Sequence, residues 1–441
     1  MNTTFEYVIS VLIIALILGF SIISLNTIQD TQLQPLKEEQ LRPVAERFLD
    51  KVLLSKGYPY NWGADIFVSP DPSSDPSLEL RKLEDVGLAA NSTNLYTIDV
   101  YKVMRLVKEV SAGQSTIENP LYVDPEYLGN LTGLRENGQW KYGFRLLMKT
   151  ALNINVSATF SGHGSQEMAE SFKVNVSTYS GKPAANAIVA AKYFCFYVEQ
   201  IGTGSDKYVW NYTYTTFYNK TDWKGMTTLD FYNDTSFWEY VDQQKNNNPF
   251  FFLFITANYY GLQSQEVWTY PQVETISLML QGRYLIVNFV PPEHGTKLEY
   301  PKAAHFMGGL HLNTNLTLVE FTSDLNVIFD PVINVSSTGR AYKIINMGGK
   351  NYRVYELSAY CSPDVLFAGM VVSSVLKSGG RTDWFAYASR PLVPTAIDYR
   401  SHYQDWKIFP QVGIKNEVLS RIVRIGLNSY YVELTLWRMS E

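Results

Sequence analysis

Tyr7–Leu25 reads YVISVLIIALILGFSIISL, nineteen consecutive residues without a charge and dominated by Ile, Leu and Val. At about 1.5 Å of rise per residue, a helix of that length covers roughly the 30 Å hydrocarbon layer of a bilayer. Its polar members, Ser10, Ser21 and Ser24, are small hydroxyls that bond back to helix carbonyls. No polar stripe marks a face turned to water, as a helix in a soluble core would show. The stretch predicts a long helix, in a membrane or in the core of a filament, with Tyr7, Val11, Ile14, Leu18 and Leu25 among its contact residues. A removable secretory signal fits less well, because no Lys or Arg precedes the run and no Ala-x-Ala-like site follows it. Glu6 stands before the run and Asp30, Lys37, Glu38, Glu39 and Arg42 follow it, so flanking charge says almost nothing about orientation.

The rest of the chain reads as a large body. Its 441 residues leave room for two or three domains at about 150 residues each. Only 18 % of residues are charged while aromatics reach 14 %, with 31 Tyr, a balance that suits strands. A net charge of −5 supplies no basic field, which excludes nucleic acid as the expected partner. Two cysteines, Cys195 and Cys361, exclude a disulfide-rich scaffold and a Cys-based zinc knuckle. Outside the cell they would pair and staple two halves of the body; buried free thiols are the equal alternative. Asn-x-Ser/Thr triplets stand at Asn2, Asn91, Asn130, Asn155, Asn175, Asn211, Asn219, Asn233, Asn315 and Asn334. The nine after the apolar run are candidate N-glycan acceptors on an extracytoplasmic body, with polar turn and strand residues as the plainer reading.

Four regions follow in order. Residues 1–57 hold the apolar helix and an amphipathic stalk, in which Leu41, Val44, Phe48 and Val52, beside Ala45 and Leu49, recur at helical steps. Pro35 and Pro43 predict kinks there, and Gly57 a stop. Residues 58–152 form a small α+β region: GYPYNWG (57–63) is a turn with aromatic anchors, SPDPSSDPS (69–77) an exposed loop, and Val100, Val103, Met104, Leu106 and Val107 predict a second amphipathic helix. In 153–271 the period changes to two, through NINVSATF, SFKVNVSTY, AIVAAKYFCFYV, VWNYTYTTFY, MTTLDFY and FFFLFITANYY, at the spacing of a β-sandwich. Residues 272–441 form a second β domain, with hairpins at Gln281-Gly282, Gly348-Gly349 and Gly426–Ser429 and helical pieces near 365–376.

Catalytic signatures are missing. No Gly-x-Ser-x-Gly, His-Glu-x-x-His, P-loop or dinucleotide fingerprint occurs. Glu293, His294, His305 and His311 crowd within twenty residues, but in a strand His305 and His311 stand roughly 20 Å apart, so turn and surface histidines are expected there. Asp71 and Asp75 lack the spacing of a calcium loop. No catalytic, cofactor-binding or metal residue is therefore assigned, and no cofactor is expected.

Two resemblances give these patterns a direction. VNVSTYSGKPAANAIVAAKYF, then TDWKGMTTLDF and FLFITANYYG, spanning Val174 to Gly261, resemble immunoglobulin-like surface domains with a Gly-Lys-Pro turn before a Val-rich strand and a Thr-Asp-x-x-Gly turn before a later one. Phe5-Glu6 directly before the apolar run is similar to the start of type IV pilin-like proteins and archaeal flagellins. That resemblance implies a filament subunit in which Glu6 neutralises a neighbour's amino terminus while the N-terminal helices bundle into a homo-oligomer. No basic leader or processing site precedes the run, so a single-pass tethered surface glycoprotein is the rival reading, binding carbohydrate or a protein through aromatics at Tyr208–Trp223; a tethered hydrolase comes third. The expected protein is thus mainly β with a long N-terminal α-helix, a stalk, a small α+β region, an immunoglobulin-like sandwich and a C-terminal β domain. It belongs at the cell surface, partnered by itself, a membrane and covalent glycans.

Overall fold

A computed structural model describes residues 14–21, 24, 41–70, 80–90, 94–112, 115–161, 168–200, 208–232, 234–243, 250–270, 278–282, 284–288, 315–321, 327–333, 343–347, 350–356, 367–373, 394–401 and 416–439. Four helices are named here: α1 (Leu41–Leu54), α2 (Val100–Met104), α3 (Pro125–Thr132) and α4 (Thr235–Gln243). The strands of the main layers are β1 (Thr97–Ile98), β2 (Tyr142–Thr150), β3 (Leu152–Ser161), β4 (Met168–Thr178), β5 (Ile188–Gln200), β6 (Tyr208–Lys220), β7 (Met226–Asp230), β8 (Phe250–Tyr259), β9 (Leu262–Tyr270), β10 (Ala396–Arg400), β11 (Asn416–Ile425) and β12 (Asn428–Arg438).

The long N-terminal helix expected over Tyr7–Leu25 is corrected. Helix at that position is described at 14–21 and at Ser24, and the protein is mainly β with short helices. Among the described residues no helix is long and apolar enough to cross a membrane, so the transmembrane and pilin-like stalk assignments fall with it. The physical reason lies in packing. Most helical stability in a folded protein comes from an apolar face laid against a body, and Ile14, Leu16, Ile17, Leu18 and Phe20 are all exposed.

The helix that does pack is α1. Its helical spacing buries Leu41, Ala45, Phe48, Leu49, Val52 and Leu53 on one side. At about 1.5–3 kcal/mol per large apolar side chain, that face is worth on the order of 10 kcal/mol as an upper bound. Pro43 sits in the first turn, where its missing N–H leaves no bond unmade, so the helix runs through it. Gly57, at φ +68°, turns the chain away beyond its end. Beneath α1 lies a five-stranded sheet in the order β10-β2-β12-β11-β1. Phe48 meets Phe144 of β2 at 5.1 Å between ring centroids, and Arg145 grips Asp398 of edge strand β10 with bonds of 2.8 and 2.9 Å. The closing hairpin of the chain thus shares one core with residues 41–148.

The predicted amphipathic helix at 97–110 resolves into β1, the five-residue α2 capped by the Asp99 carboxylate, and a strand at Glu109–Ala112. Every residue of α2 is buried, so no face turns to solvent.

Each of the six period-two segments from 153 to 260 falls mostly in a strand, and the strands build two sheets, β7-β4-β3 and β6-β5-β8-β9. This strand order is compatible with an immunoglobulin-like sandwich. Phe172, Val174 and Val176 of one sheet face Val189, Ala191, Tyr193, Leu253 and Ile255 of the other across a shared core. Connection to the first body is one residue long: β2 passes through buried Ala151 into β3. Ala151 N donates to Ser429 O at 2.8 Å, Gln263 N to Ser429 Oγ at 3.1 Å, and Tyr179 stacks on Tyr431 at 4.2 Å.

Between β9 and β10 the described chain forms two further sheets. Leu278–Gln281, Tyr284–Asn288, Lys350–Glu356 and Lys343–Met347 pair in that order, and Ile286 and Val354 reach the first core. Val327–Ile333, Asn315–Phe321 and Phe367–Ser373 form the other sheet. The helical pieces expected near 365–376 are therefore corrected to strand at Phe367–Ser373, where Val371 and Val372 favour extended backbone.

Candidate functional site

Eight successive helical residues, 14–21, carry the most exposed apolar surface of the described N-terminal part. Ile14 is 57 % exposed, Ile17 59 % and Phe20 66 %. Successive side chains in a helix step round the axis by about 100°, so eight of them visit every direction. All but Gly19 are exposed, and an added Cβ at Gly19 itself would meet nothing within 4 Å. A helix apolar on all sides belongs in apolar surroundings.

The sandwich presents two unlike outer faces. On the sheet β7-β4-β3 the outward positions are Asn153, Asn155, Ser157 and Thr159, then Ser171, Lys173, Asn175 and Ser177, then Met226, Thr228 and Asp230. Hydroxyls and amides dominate it. Asn155 and Asn175 are directly opposite each other, and both are exposed. The other sheet turns Phe194, Phe252 and Phe254 away from the sandwich core, yet all three are buried. At its β6 edge Tyr214 is half exposed, Tyr218 is 67 % exposed, and Trp223 in the following turn is 76 % exposed. Lysine ammoniums lie over two of these rings, Lys192 at 4.9 Å from Tyr214 and Lys224 at 4.9 Å from Trp223.

The two turns singled out in the sequence meet at one end of the sandwich. Thr221 Oγ1 donates to Ala184 O at 2.6 Å and accepts from Ala187 N at 2.8 Å, tying the Thr-Asp-x-x-Gly turn to the segment after Gly-Lys-Pro. The Asp222 carboxylate accepts from Lys224 N and Met226 N, each at 2.8 Å. Gly225 closes the arrangement at φ +75°, where an added Cβ would stand 2.4 Å from Val176 O. These bonds make a structural clasp that aims Trp223 and Lys224 outward.

In the first body two cations are buried against carbonyls. Arg105 donates from Nε to Leu121 O at 3.0 Å, from Nη2 to Val68 O at 2.5 Å and from Nη1 to Trp62 O. Burial brings its pKa down to about 10, against the pull of Asp65. Lys102 Nζ donates to Lys56 O at 2.7 Å and Ala89 O at 2.9 Å. Gln281, from the neighbouring sheet, donates to Gly63 O and, at 3.0 Å, to Tyr101 O. The arrangement holds the 57–63 turn in place, with Trp62 fully buried and its Nε1 on Gly87 O at 3.1 Å. Its chemistry is that of a strut.

One consequence is measurable. Burial above all, offset in part by Asp99, lowers the Lys102 pKa to about 8. The ordinary lysine value of about 10.4 holds in the unfolded chain, so between those values the unfolded state binds more protons and stability rises with pH. Unfolding free energy should climb by on the order of 2 kcal/mol between pH 7.5 and 9.5 through this group. Urea titrations across that window, compared with Lys102→Met, check it: the climb should be absent in the variant.

Of the residues predicted for assembly, Ile14 and Leu18 are exposed on the helical segment, while Glu6, Tyr7, Val11 and Leu25 lie outside the described residues. Asn130, Asn155, Asn175 and Asn219 are exposed. Asn91, Asn233 and Asn334, and the side chains of Asn211 and Asn315, lie outside what is described, as do Cys361, Asp71, Asp75 and the histidines at 294, 305 and 311. Cys195 is a free thiol buried in the sandwich core, its pKa pushed up to about 12 by burial. Arg105, Lys102 and Gln281 escaped the sequence reading, since nothing in their local pattern sets them apart from solvent-facing polar residues. No family model matches the chain, and no curated protein matches it in sequence.

Proposed function

We propose that this chain is a structural protein of the cell surface that associates with copies of itself through the apolar segment around 14–21 and displays a β-rich body outward. The observation that carries the reading is the exposure of that segment, Ile14 to Phe20, beside a body with two buried cores of its own. Low charge, the hydroxyl- and amide-rich sandwich face and the exposed sequons support an extracytoplasmic setting. Copies suit an all-round apolar helix better than a groove on one partner, because a groove covers one side only.

Ile17→Asp with Phe20→Asp is the direct test. The unaltered protein should sediment as large assemblies without lipid, and the double variant as single chains with an unchanged circular dichroism spectrum. Unaltered protein that stays a single chain in buffer but floats with phosphatidylcholine vesicles would replace self-association with lipid contact. A second reading, recognition of a carbohydrate or protein, is favoured by Tyr214, Tyr218 and Trp223 along one sheet edge. Glycan-array binding abolished by Tyr218→Ala and Trp223→Ala would carry it.

A further inference from the structure

We propose that the outer face of the three-stranded sandwich sheet is a covalent glycan site, centred on the facing pair Asn155 and Asn175, and that the neighbouring sequon at Asn219 is left bare. The proposal rests on the extracytoplasmic setting inferred above.

Four sequon asparagines have described, exposed side chains, and their surroundings differ. Asn155 on β3 and Asn175 on β4 are direct cross-strand partners. In a strand, residues two apart share a face, so Ser157 and Ser177, which complete the two sequons, stand on the same side as their asparagines. Both amides therefore face solvent with their own hydroxyl beside them, on a sheet face whose other members, Lys173 and Met226 apart, are short and polar. No described hydrogen bond engages either amide. Asn219 is different: its Oδ1 accepts from Lys220 N at 2.8 Å and its Nδ2 leans on Thr228 O at 3.5 Å. The hydroxyl of its sequon, Thr221, is buried in the clasp with Ala184 and Ala187. A transferase acting on the folded chain would find the first pair accessible and the third sequon locked.

The transfer balances without redox chemistry. The Asn Nδ2 attacks the anomeric carbon of a polyprenyl-phosphate-linked oligosaccharide, forming the C–N bond. The anomeric C–O bond breaks, the lipid phosphate leaves with its electron pair, and one amide proton passes to the transferase. The product suits this location, because a glycan over β3 and β4 covers a face rich in groups that already hydrogen-bond water and displaces no apolar contact. Its bulk would also stand guard over Met226, an exposed apolar residue of edge strand β7 directly beside Asn175.

Glycopeptide mass spectrometry on the native full-length chain tests this, together with intact masses of Ser157→Ala and Ser177→Ala, which remove the sequons while leaving both asparagines and the strands in place. The expected result is sugar on Asn155, Asn175 or both, none on Asn219, and an intact mass that falls by a whole glycan in the corresponding serine variant. Sugar at Asn130 or another sequon with both Asn155 and Asn175 unmodified would overturn the proposal while leaving the extracytoplasmic setting standing. Sugar on Asn219 with the pair bare would also overturn it. A chain without sugar at any sequon would remove both the proposal and its setting.

Discussion

A chain ending at residue 415 should lose the whole first body, not only its last hairpin. Strand β12 lies between β2 and β11, and α1 packs across β11 and β12. Removing 416–441 takes Leu419, Val423, Ile425, Tyr430, Val432, Leu434 and Leu436 out of one core. At about 1.5–3 kcal/mol for each fully buried large side chain, the loss exceeds 10 kcal/mol, comparable to the entire stability of a typical domain at about 5–15 kcal/mol. No other described element takes the place of β12 beside β2. Proteolysis should then cut freely between 41 and 150, where Trp62 is fully buried in the intact protein. The sandwich core draws on residues 152–270, so that fragment should stay protected. A truncated chain that still shields 41–150 would mean that the hairpin decorates a body already complete without it.

The β11–β12 hairpin was read from its bend at Gly426–Ser429, but the pairing of β12 with β2 was not legible in the sequence, and the reason is physical. Period-two alternation shows that Asn428–Arg438 is a strand, with Tyr430, Val432, Leu434 and Leu436 on one face. It carries no information on which of many strands lies alongside, because ladder bonds are made by backbone groups common to all residues. Within the sandwich three pairings, β3 with β4, β5 with β6 and β8 with β9, join strands consecutive in the chain, and the segments and their turns could be read directly. The pairings of β4 with β7 and β5 with β8 join strands distant in the chain and were as obscure as that of β12. Strands β5 and β8 were read as period-two segments like the rest, yet AAKYFC and FFFLFI are nearly continuous apolar runs, a pattern that goes with burial on both faces, and Phe194, Phe252 and Phe254 are buried on the outer one.

Misreadings cluster where a pattern was matched without its packing. The spacing of Val100, Val103, Met104, Leu106 and Val107 fits an amphipathic helix, which would put Lys102 and Arg105 in water. Both are buried, so the polar face of that pattern does not exist. The N-terminal run shows the converse error, since apolar length sets what a helix would span but not where tertiary contacts sustain it.

Arg105→Met should be among the most damaging single substitutions in the protein. The guanidinium is completely buried and its three donating nitrogens hold carbonyls from three separate segments: Trp62 in the turn after α1, Val68 in a short strand, and Leu121 before α3. It also lies over the Trp62 ring, 5.7 Å from the centroid. Two effects oppose each other. Methionine removes a cation whose desolvation costs several kcal/mol, but it keeps little more than the stem and strands three acceptors in a water-poor interior. Each unsatisfied buried acceptor costs about 1–3 kcal/mol. Replacing a whole buried polar network by apolar groups is often neutral, whereas removing one partner is not. Here the carbonyls are backbone and cannot be replaced, so the second case applies and the net loss should be on the order of 3 kcal/mol. Arg105→Lys should fall between, because one ammonium cannot reach three carbonyls arranged for a fork. Urea unfolding followed by circular dichroism gives the measure. A methionine variant within about 0.5 kcal/mol of the unaltered protein, the range of ordinary surface changes, would show that the three carbonyls find other partners and that the buried cation is dispensable to the fold.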